Sequence, residues 1–426
     1  VNSEMKLRFG RNVISVEEAR AILYEYVKPT ESEAVLLSSS FGRRLAMDVF
    51  ADHPVPHFRR SGVDGYAVRS TDIVDATPES PIILRVIELI PSGTVPQQTI
   101  QAGMAARIMT GAPVPDGADA VVMLEMTDSL LNEAIMSSAE SNDDLVRIKK
   151  NLVAGSNITP IAGEVASGEL LIERGTRIGP GEAAILATFG FSEVQVYAKP
   201  KVAIFSTGSE LLQVGQELQP GKIRNSNSYM LAAQVEATGG SAIIMPALSD
   251  DVEQVRSSLE AVLSEVDLIM TSGGVSVGDY DVLVDLFGRF DGKLLFNKVA
   301  MRPGTPTSAA LWHGKLLVAL SGNPGASFVG FELYAKPLIK AMLGSSSSAP
   351  EEFTAFLDVP YDKPSAYPRY IRGTTRFEAG SLWVRAAGID KSSIMVSIKD
   401  ADCLIRLPAG GQGFGRGECV TVYSTR

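Results

Sequence analysis

Residues 268–281, LIMTSGGVSVGDYD, pass from an apolar run into adjacent glycines, hydroxyls and two carboxylates. Glycine lets backbone N–H groups approach an oxyanion closely, and hydroxyls at a strand end add further donors. Ser272, Gly273, Gly274, Ser276 and Gly278 therefore form a candidate phosphate cradle. Asp279 and Asp281 would repel a phosphate if they acted alone. A divalent cation between acid and anion removes the conflict, and Mg²⁺ commonly takes one or two carboxylates with phosphate oxygens and water. Asp281 is the stronger metal candidate. Asp279 either shares the ion or caps the helix expected to begin near residue 281.

Three other segments have the same texture: STGSE (206–210), MRPGTPT (301–307) and SGNPGAS (321–327). Each alone reads as an ordinary strand-to-helix turn. Open α/β sheets bind ligands outside the carboxyl ends of their strands, so four such ends on one rim predict a ligand site. None is a Walker A loop, because no G-x-x-x-x-G-K-[ST] occurs. GGQGFGRG (410–417) matches a dinucleotide fingerprint only in its glycines and lacks the strand–turn–helix setting. In the N-terminal half, RRSGVDGYAVRSTD (59–72) places Asp64 before Gly65, a pair that also signals a hairpin turn. RIMTGAPVPDGADAVVMLE (107–125) offers Thr110 before Gly111, and Glu125.

The elements that must position these loops follow from periodicity. SVEEARAILYEYVKP reads as an amphipathic helix with a Ser15/Glu18 capping box and Val16, Ala19, Leu23 and Tyr26 on one face. From about 46 to 150 the chain breaks into short β-branched runs and turn clusters, the texture of an inserted β-rich domain. KVAIFS, SAIIMPAL, DLIMTS, KLLFNKVAM and KLLVALSGNP then read as strands, separated by helical segments over 228–238 and DDVEQVRSSLEAVLSEV. GASFVGFELYAKPLIKAM reads as the last helix of that series. Strands alternating with helices predict a mainly parallel, doubly wound sheet. GSSSSAPEE (344–352) reads as a linker, and the turn-rich tail beyond it as a small β-barrel or sandwich.

Global properties narrow the function. A length of 426 residues implies several domains, and no apolar run approaches the roughly 18 residues of a membrane span. VNSEMKLRFGRNVIS has no apolar signal core, and two cysteines (Cys403, Cys419) make no disulfide framework, so a cytoplasmic protein is expected. His53, His57 and His313 are too scattered for a zinc site. Pro54 and Pro56 argue against a helix that would place His53 and His57 on one face. The net charge of -10 opposes a nucleic-acid surface. An anionic ligand needs local Arg, Lys or a metal ion.

SGVDGYAVR, RIMTGAPVPDGADAVV, VAIFSTGSEL, IRNSNSYML, TSGGVSVGDYD, MRPGTP and SGNPGAS together, in this order, resemble the molybdopterin molybdenumtransferases, the family of MoeA and the gephyrin E domain. The resemblance runs from about residue 10 to 420 and implies an α/β multidomain chain. Its parts would be a discontinuous helical domain (6–45 and 150–185), an inserted β-rich domain (46–149), a doubly wound adenylyltransferase-like domain (186–343) and a C-terminal β-barrel (350–426). It implies an enzyme that accepts adenylylated molybdopterin and molybdate and releases AMP in a Mg²⁺-dependent step. It also implies a homodimer with an intersubunit active site, and other molybdenum cofactor biosynthesis enzymes as partners. By motif position Asp64, Thr110, Glu182 and Asp281 match family active-site residues. Arg302 and Pro303, with Ser321, Gly322, Asn323 and Pro324, match loops at the pterin and molybdate end, and Arg372, Ser392 and Ser393 match molybdate contacts.

The chain departs from the family pattern at four places. Arg302 and Thr305 stand where many members carry lysines, and Asn225 replaces an Asp. Glu164 aligns with an Asp in a stretch whose arginines are missing. Two other functions are compatible with parts of the pattern: adenylylation of molybdopterin, and a non-catalytic scaffold like the gephyrin E domain. The DGYA and TGAPVP segments favour the transferase over the first, and the lack of a fused domain or long polar linker disfavours the second.

Overall fold

Along the strand Lys201–Ser206 the buried side chains divide between two cores. Val202 and Ile204 join one cluster, Ala203 and Phe205 the other. The strands Leu268–Ser272 and Lys315–Leu320 divide the same way, so apolar residues at every position specify a sheet covered on both faces. The computed structural model describes residues 13–129, 145–275, 282–287, 291–410 and 413–425. Ser276, Gly278, Asp279 and Asp281 lie outside the described residues.

The chain forms two compact units, one of Val1–Met47, Arg174–Ala184 and Ser192–Arg426, the other of Asp48–Glu173 and Ile185–Phe191. The first unit holds the six-stranded sheet, in the order Ser241–Ile244, Lys201–Ser206, Leu268–Ser272, Lys315–Leu320, Ser308–Trp312, Lys293–Phe296. The first four strands are parallel, as the alternating pattern predicts. Ser308–Trp312 runs against them, because His313 and Gly314 turn the chain sharply back with φ 46 and φ 79, and Lys293–Phe296, antiparallel to Ser308–Trp312, returns to the direction of the first four. The helix Asn227–Thr238 ends at Gly239, whose φ of 101 supplies the left-handed cap. The last helix of the series changes form: Pro324–Gly330 and Lys336–Met342 are α-helical, with a π-helical turn at Phe331–Ala335 between them.

The N-terminal helix Val16–Tyr24 carries the expected capping box, and Val16, Ala19 and Leu23 pack into the same core as Val202 and Ile204. Five strands (Glu352–Leu357, Arg369–Glu378, Ser381–Ala386, Cys403–Leu407, Cys419–Ser424) close into a barrel, which settles the choice between barrel and sandwich. The second unit is built on a mixed sheet of six strands, Ala120–Met123, Gly65–Val68, Met104–Ile108, Ile82–Ile90, Leu145–Ile148 and Thr127–Ser129. It has a hydrophobic cluster on each face. No helix among the described residues is long and apolar enough to cross a membrane.

Candidate functional site

The glycine-rich ends of the parallel strands meet at one rim. Gly273 (φ 98) and Gly274 (φ 74) are left-handed, and a Cβ on Gly273 would lie 2.3 Å from Thr207 Oγ1, so alanine fits neither the backbone nor the space. A Cβ on Gly322 would lie 3.4 Å from Gly273 Cα, so the SGG and SGN loops touch through their backbones. Asn227 Nδ2 donates to Ser272 Oγ (2.7 Å) and to Gly322 O (2.8 Å), tying the two loops together. The Gly273 N–H donates to Leu320 O (2.9 Å), so this amide is spent within the sheet. In the described part of the loop the Gly274 and Val275 N–H groups make no hydrogen bond among the described residues, and the buried Ser272 hydroxyl, which accepts the Asn227 amide, keeps its own proton to donate. At Ser321 the hydroxyl accepts the Asn323 N–H (3.3 Å), which shapes the turn into Pro324.

The barrel builds the other side of the same rim. Arg302 N–H donates to Pro368 O (2.9 Å) and Arg302 O accepts the Tyr370 N–H (2.7 Å), stitching the MRPGTP loop to the strand Arg369–Glu378. Arg302–Pro303 is a cis peptide. The Arg302 side chain is exposed and makes no hydrogen bond or ion pair among the described residues. Thr305 spends its hydroxyl on Met301 O (2.6 Å), so it does not replace a lysine's charge. Arg372 is only 5% exposed, and burial depresses the pKa of its guanidinium. Its Nη1 donates to Ile394 O (2.6 Å) and its Nη2 to Lys391 O (2.9 Å), so Arg372 grips the loop that carries Ser392 and Ser393. Ser392 O in turn accepts the Gly325 N–H (2.8 Å). The foot of that loop is held by Asp390, which pairs with Arg369 (3.4 Å) and accepts the Tyr361 hydroxyl.

In the second unit Asp64 and Thr110 are brought together. Thr110 donates to Asp64 Oδ1 from its backbone N–H (2.6 Å) and from Oγ1 (2.8 Å). The backbone bond, then the hydroxyl bond, hold the Asp64 carboxyl below its ordinary pKa, with a smaller push from Arg107. Gly65 is no hairpin residue. It starts the strand Gly65–Val68, and a Cβ there would meet Val122 O at 2.0 Å. Glu164 pairs with Arg60 (2.6 Å) in this unit. Glu182, in the first unit, turns its Oε2 to the Gly179 N–H (2.9 Å) and caps the helix Pro180–Thr188.

Among the described residues no three His, Cys, Asp or Glu side chains gather into a metal cage. The rim still suits Mg²⁺ by donor type. The Ser272 hydroxyl is a hard oxygen, and Asp279 and Asp281 follow on the same loop. Sequence reasoning missed Asn227, Arg369, Asp390 and Tyr361. An Asn at a helix start could have flagged the first, since Asn there commonly bonds to backbone. The others depend on pairing between distant barrel strands.

Residues 14–190 match the MoeA N-terminal region (domain I and II), 203–341 a probable molybdopterin binding domain, and 354–425 the MoeA C-terminal region (domain IV). The chain is 40% identical over 416 residues to the molybdopterin molybdenumtransferase of Bacillus subtilis, covering 98% of this chain and 95% of that protein. It is 39% identical to the enzyme of the same name from Staphylococcus epidermidis, covering 97% of this chain and 96% of that protein. A crystal structure of a molybdopterin biosynthesis MoeA protein from Pyrococcus horikoshii superposes with a TM-score of 0.81 at 29% identity, covering 97% of this chain and 100% of that one.

Proposed function

The chain belongs to the molybdopterin molybdenumtransferase family of molybdenum cofactor biosynthesis, and from that membership we propose that it inserts molybdate into adenylylated molybdopterin and releases AMP. The observation that carries the reading is the single rim on which the SGG, SGN and MRPGTP loops and the Ser392–Ser393 loop converge. Its glycine end offers neutral donors at close approach, suited to the phosphoanhydride. Its barrel end offers the exposed Arg302 guanidinium and the Ser393 hydroxyl, suited to a tetrahedral oxyanion. Arg372 acts on that oxyanion through the loop it grips and through its buried positive charge.

Asp281, with Asp279, would hold Mg²⁺ beside the anhydride; the ion supplies charge neutralisation at the phosphate oxygens. Ser272 and Gly274 orient the phosphates, while Ser321, Gly322, Asn323 and Pro324 shape the adjoining wall. The proposed functional unit is a homodimer in which Asp64, Thr110 and Glu182 of one subunit complete the rim of the other. The chain is divided as 6–45 with 150–185, 46–149, 186–343 and 350–426. Family membership supports both assignments. Asp64, kept ionised by Thr110, would serve as a base or charge-orienting group. The test is AMP release from adenylylated molybdopterin on adding molybdate, with and without Mg²⁺, for the wild type and Asp281→Ala. Loss of the Mg²⁺-dependent rate is expected in the variant. A folded Asp281→Ala protein working at the wild-type rate in saturating Mg²⁺ would remove the metal role.

A further inference from the structure

Two asparagines in the turn that opens the helix Asn227–Thr238 reach the ends of three neighbouring parallel strands. Asn225 is buried at 7% exposure, and its Nδ2 donates to Ser206 Oγ (3.0 Å) at the end of Lys201–Ser206. The same Nδ2 donates to Ser228 Oγ (3.0 Å), and its Oδ1 accepts the Ser228 N–H (3.2 Å), so the turn is fixed to the first strand. Asn227 then reaches Ser272 at the end of Leu268–Ser272 and Gly322 just beyond Lys315–Leu320. These three strands are adjacent in the sheet.

The direction of the Asn227 amide is set by chemistry. Gly322 O can only accept, so the NH₂ group must face it, and the Ser272 hydroxyl takes the second N–H. Oδ1 is left buried with no partner. This side chain is therefore used purely as a double donor. The regular ladder between the two strands ends at Ser272 and Leu320, followed by the Gly273 N–H to Leu320 O bond. Past that point, the Asn227 amide is the polar link between the two loops among the described residues.

We propose that Asn227 is a positioning residue that holds the SGG and SGN loops at the separation the ligand requires before the ligand arrives. This rests on the functional reading above, in which both loops line the substrate site. Without the clamp the competent rim is only one member of a set of loop arrangements, and apparent affinity falls by the fraction that is competent. Once substrate is bound the loops are gathered again, so the cost falls on KM and leaves kcat nearly unchanged.

The experiment compares wild type, Asn227→Asp and Asn227→Ala by amide hydrogen exchange of the 271–275 and 321–325 segments and by AMP-release kinetics. Asn227→Asp keeps the shape but removes both donors when ionised. The expected result is faster exchange in both segments and a KM raised about tenfold with kcat within about twofold, the scale of two modest hydrogen bonds. As pH falls, the protonated acid of this variant donates one bond again, and its KM should approach the wild-type value. Asn227→Ala, which removes both donors without adding a charge, should show the same changes and decides the matter if Asn227→Asp does not fold. Unchanged exchange in both segments of a folded Asn227→Asp protein overturns the clamp, as does a kcat loss at constant KM. If the wild type itself released no AMP, the functional reading would fall, while the exchange comparison would still decide the clamp.

Discussion

Replacing Gly325 with alanine sets two effects of opposite sign against each other. Gly325 lies in the helix Pro324–Gly330, and a helical glycine-to-alanine exchange by itself stabilises by about 1 kcal/mol. Here the added Cβ would sit 2.5 Å from Arg372 Nη1, 2.8 Å from Arg372 Cζ and 3.0 Å from Ser392 O. Carbon atoms in contact stay roughly 3.5 Å apart, so the guanidinium must retreat by most of an ångström. It cannot swing into water, because the side chain is buried and bonded to Ile394 O at 2.6 Å and Lys391 O at 2.9 Å. Retreat breaks one of these bonds or drags the loop with it. A hydrogen bond to a charged group is worth about 1.5–3 kcal/mol, so sterics outweigh propensity and the net loss is about 1–2 kcal/mol. The same displacement moves Ser392 and Ser393, and a cost of that size raises the molybdate KM roughly tenfold. Thermal unfolding and AMP release against molybdate concentration measure the two effects. A Gly325→Ala protein with an unchanged or higher Tm and an unchanged KM would show that Arg372 is not locked against the helix, and the argument would fail.

Two other predictions follow from the charged groups. Thr110→Val keeps the backbone bond to Asp64 but removes the hydroxyl bond, so the Asp64 pKa should rise part of the way to the ordinary carboxylate value. Because the folded-state value is depressed, the stability this bond adds is present above the unfolded carboxylate pKa and lost as pH falls through the folded one. The Tm difference between wild type and Thr110→Val should therefore be visible near neutrality and vanish in acid; a difference that grew in acid would reverse the assignment. Arg302→Gln should raise the molybdate KM several-fold, the scale of about 1 kcal/mol for an exposed charge, while Arg302→Lys should change it little. The Arg302→Gln effect should shrink as salt is added, and a salt-independent loss in both variants would point to a shape defect instead.

Local signals made part of this structure legible in the sequence. Ser15 and Glu18 close a capping box three residues apart, so the first helix could be placed before any tertiary contact was known. Doubly buried strands such as Lys201–Ser206 announce themselves by apolar residues at successive positions. The hairpin into Ser308–Trp312 was missed because one long apolar stretch conceals two strands, and only the left-handed pair His313–Gly314 divides it. The clamp was equally hidden. Asn227 finds its partners 45 and 95 residues away, where no periodicity reaches. The proposed phosphate cradle was legible as a glycine-rich loop but not amide by amide, since only the sheet register reveals that the Gly273 N–H is already taken by Leu320.

A chain of net charge -10 that handles anions must place its few positive groups with care. At the barrel end Arg369 is offset by Asp390, and Arg372 is buried against carbonyl oxygens, so the exposed Arg302 and Lys391 are the cations left to meet an oxyanion among the described rim residues. The SGG and SGN loops have no such group. Residues 268–281 and 316–327 contain neither lysine nor arginine. Glycine amides and hydroxyls can orient a phosphoanhydride there, but they leave its negative charge in place. Two aspartates in the same loop would then make matters worse, unless their purpose is to bring in a cation that the chain does not itself supply. The acids that look misplaced beside a phosphate cradle are thus the strongest reason to expect a divalent metal at this end and a guanidinium at the other.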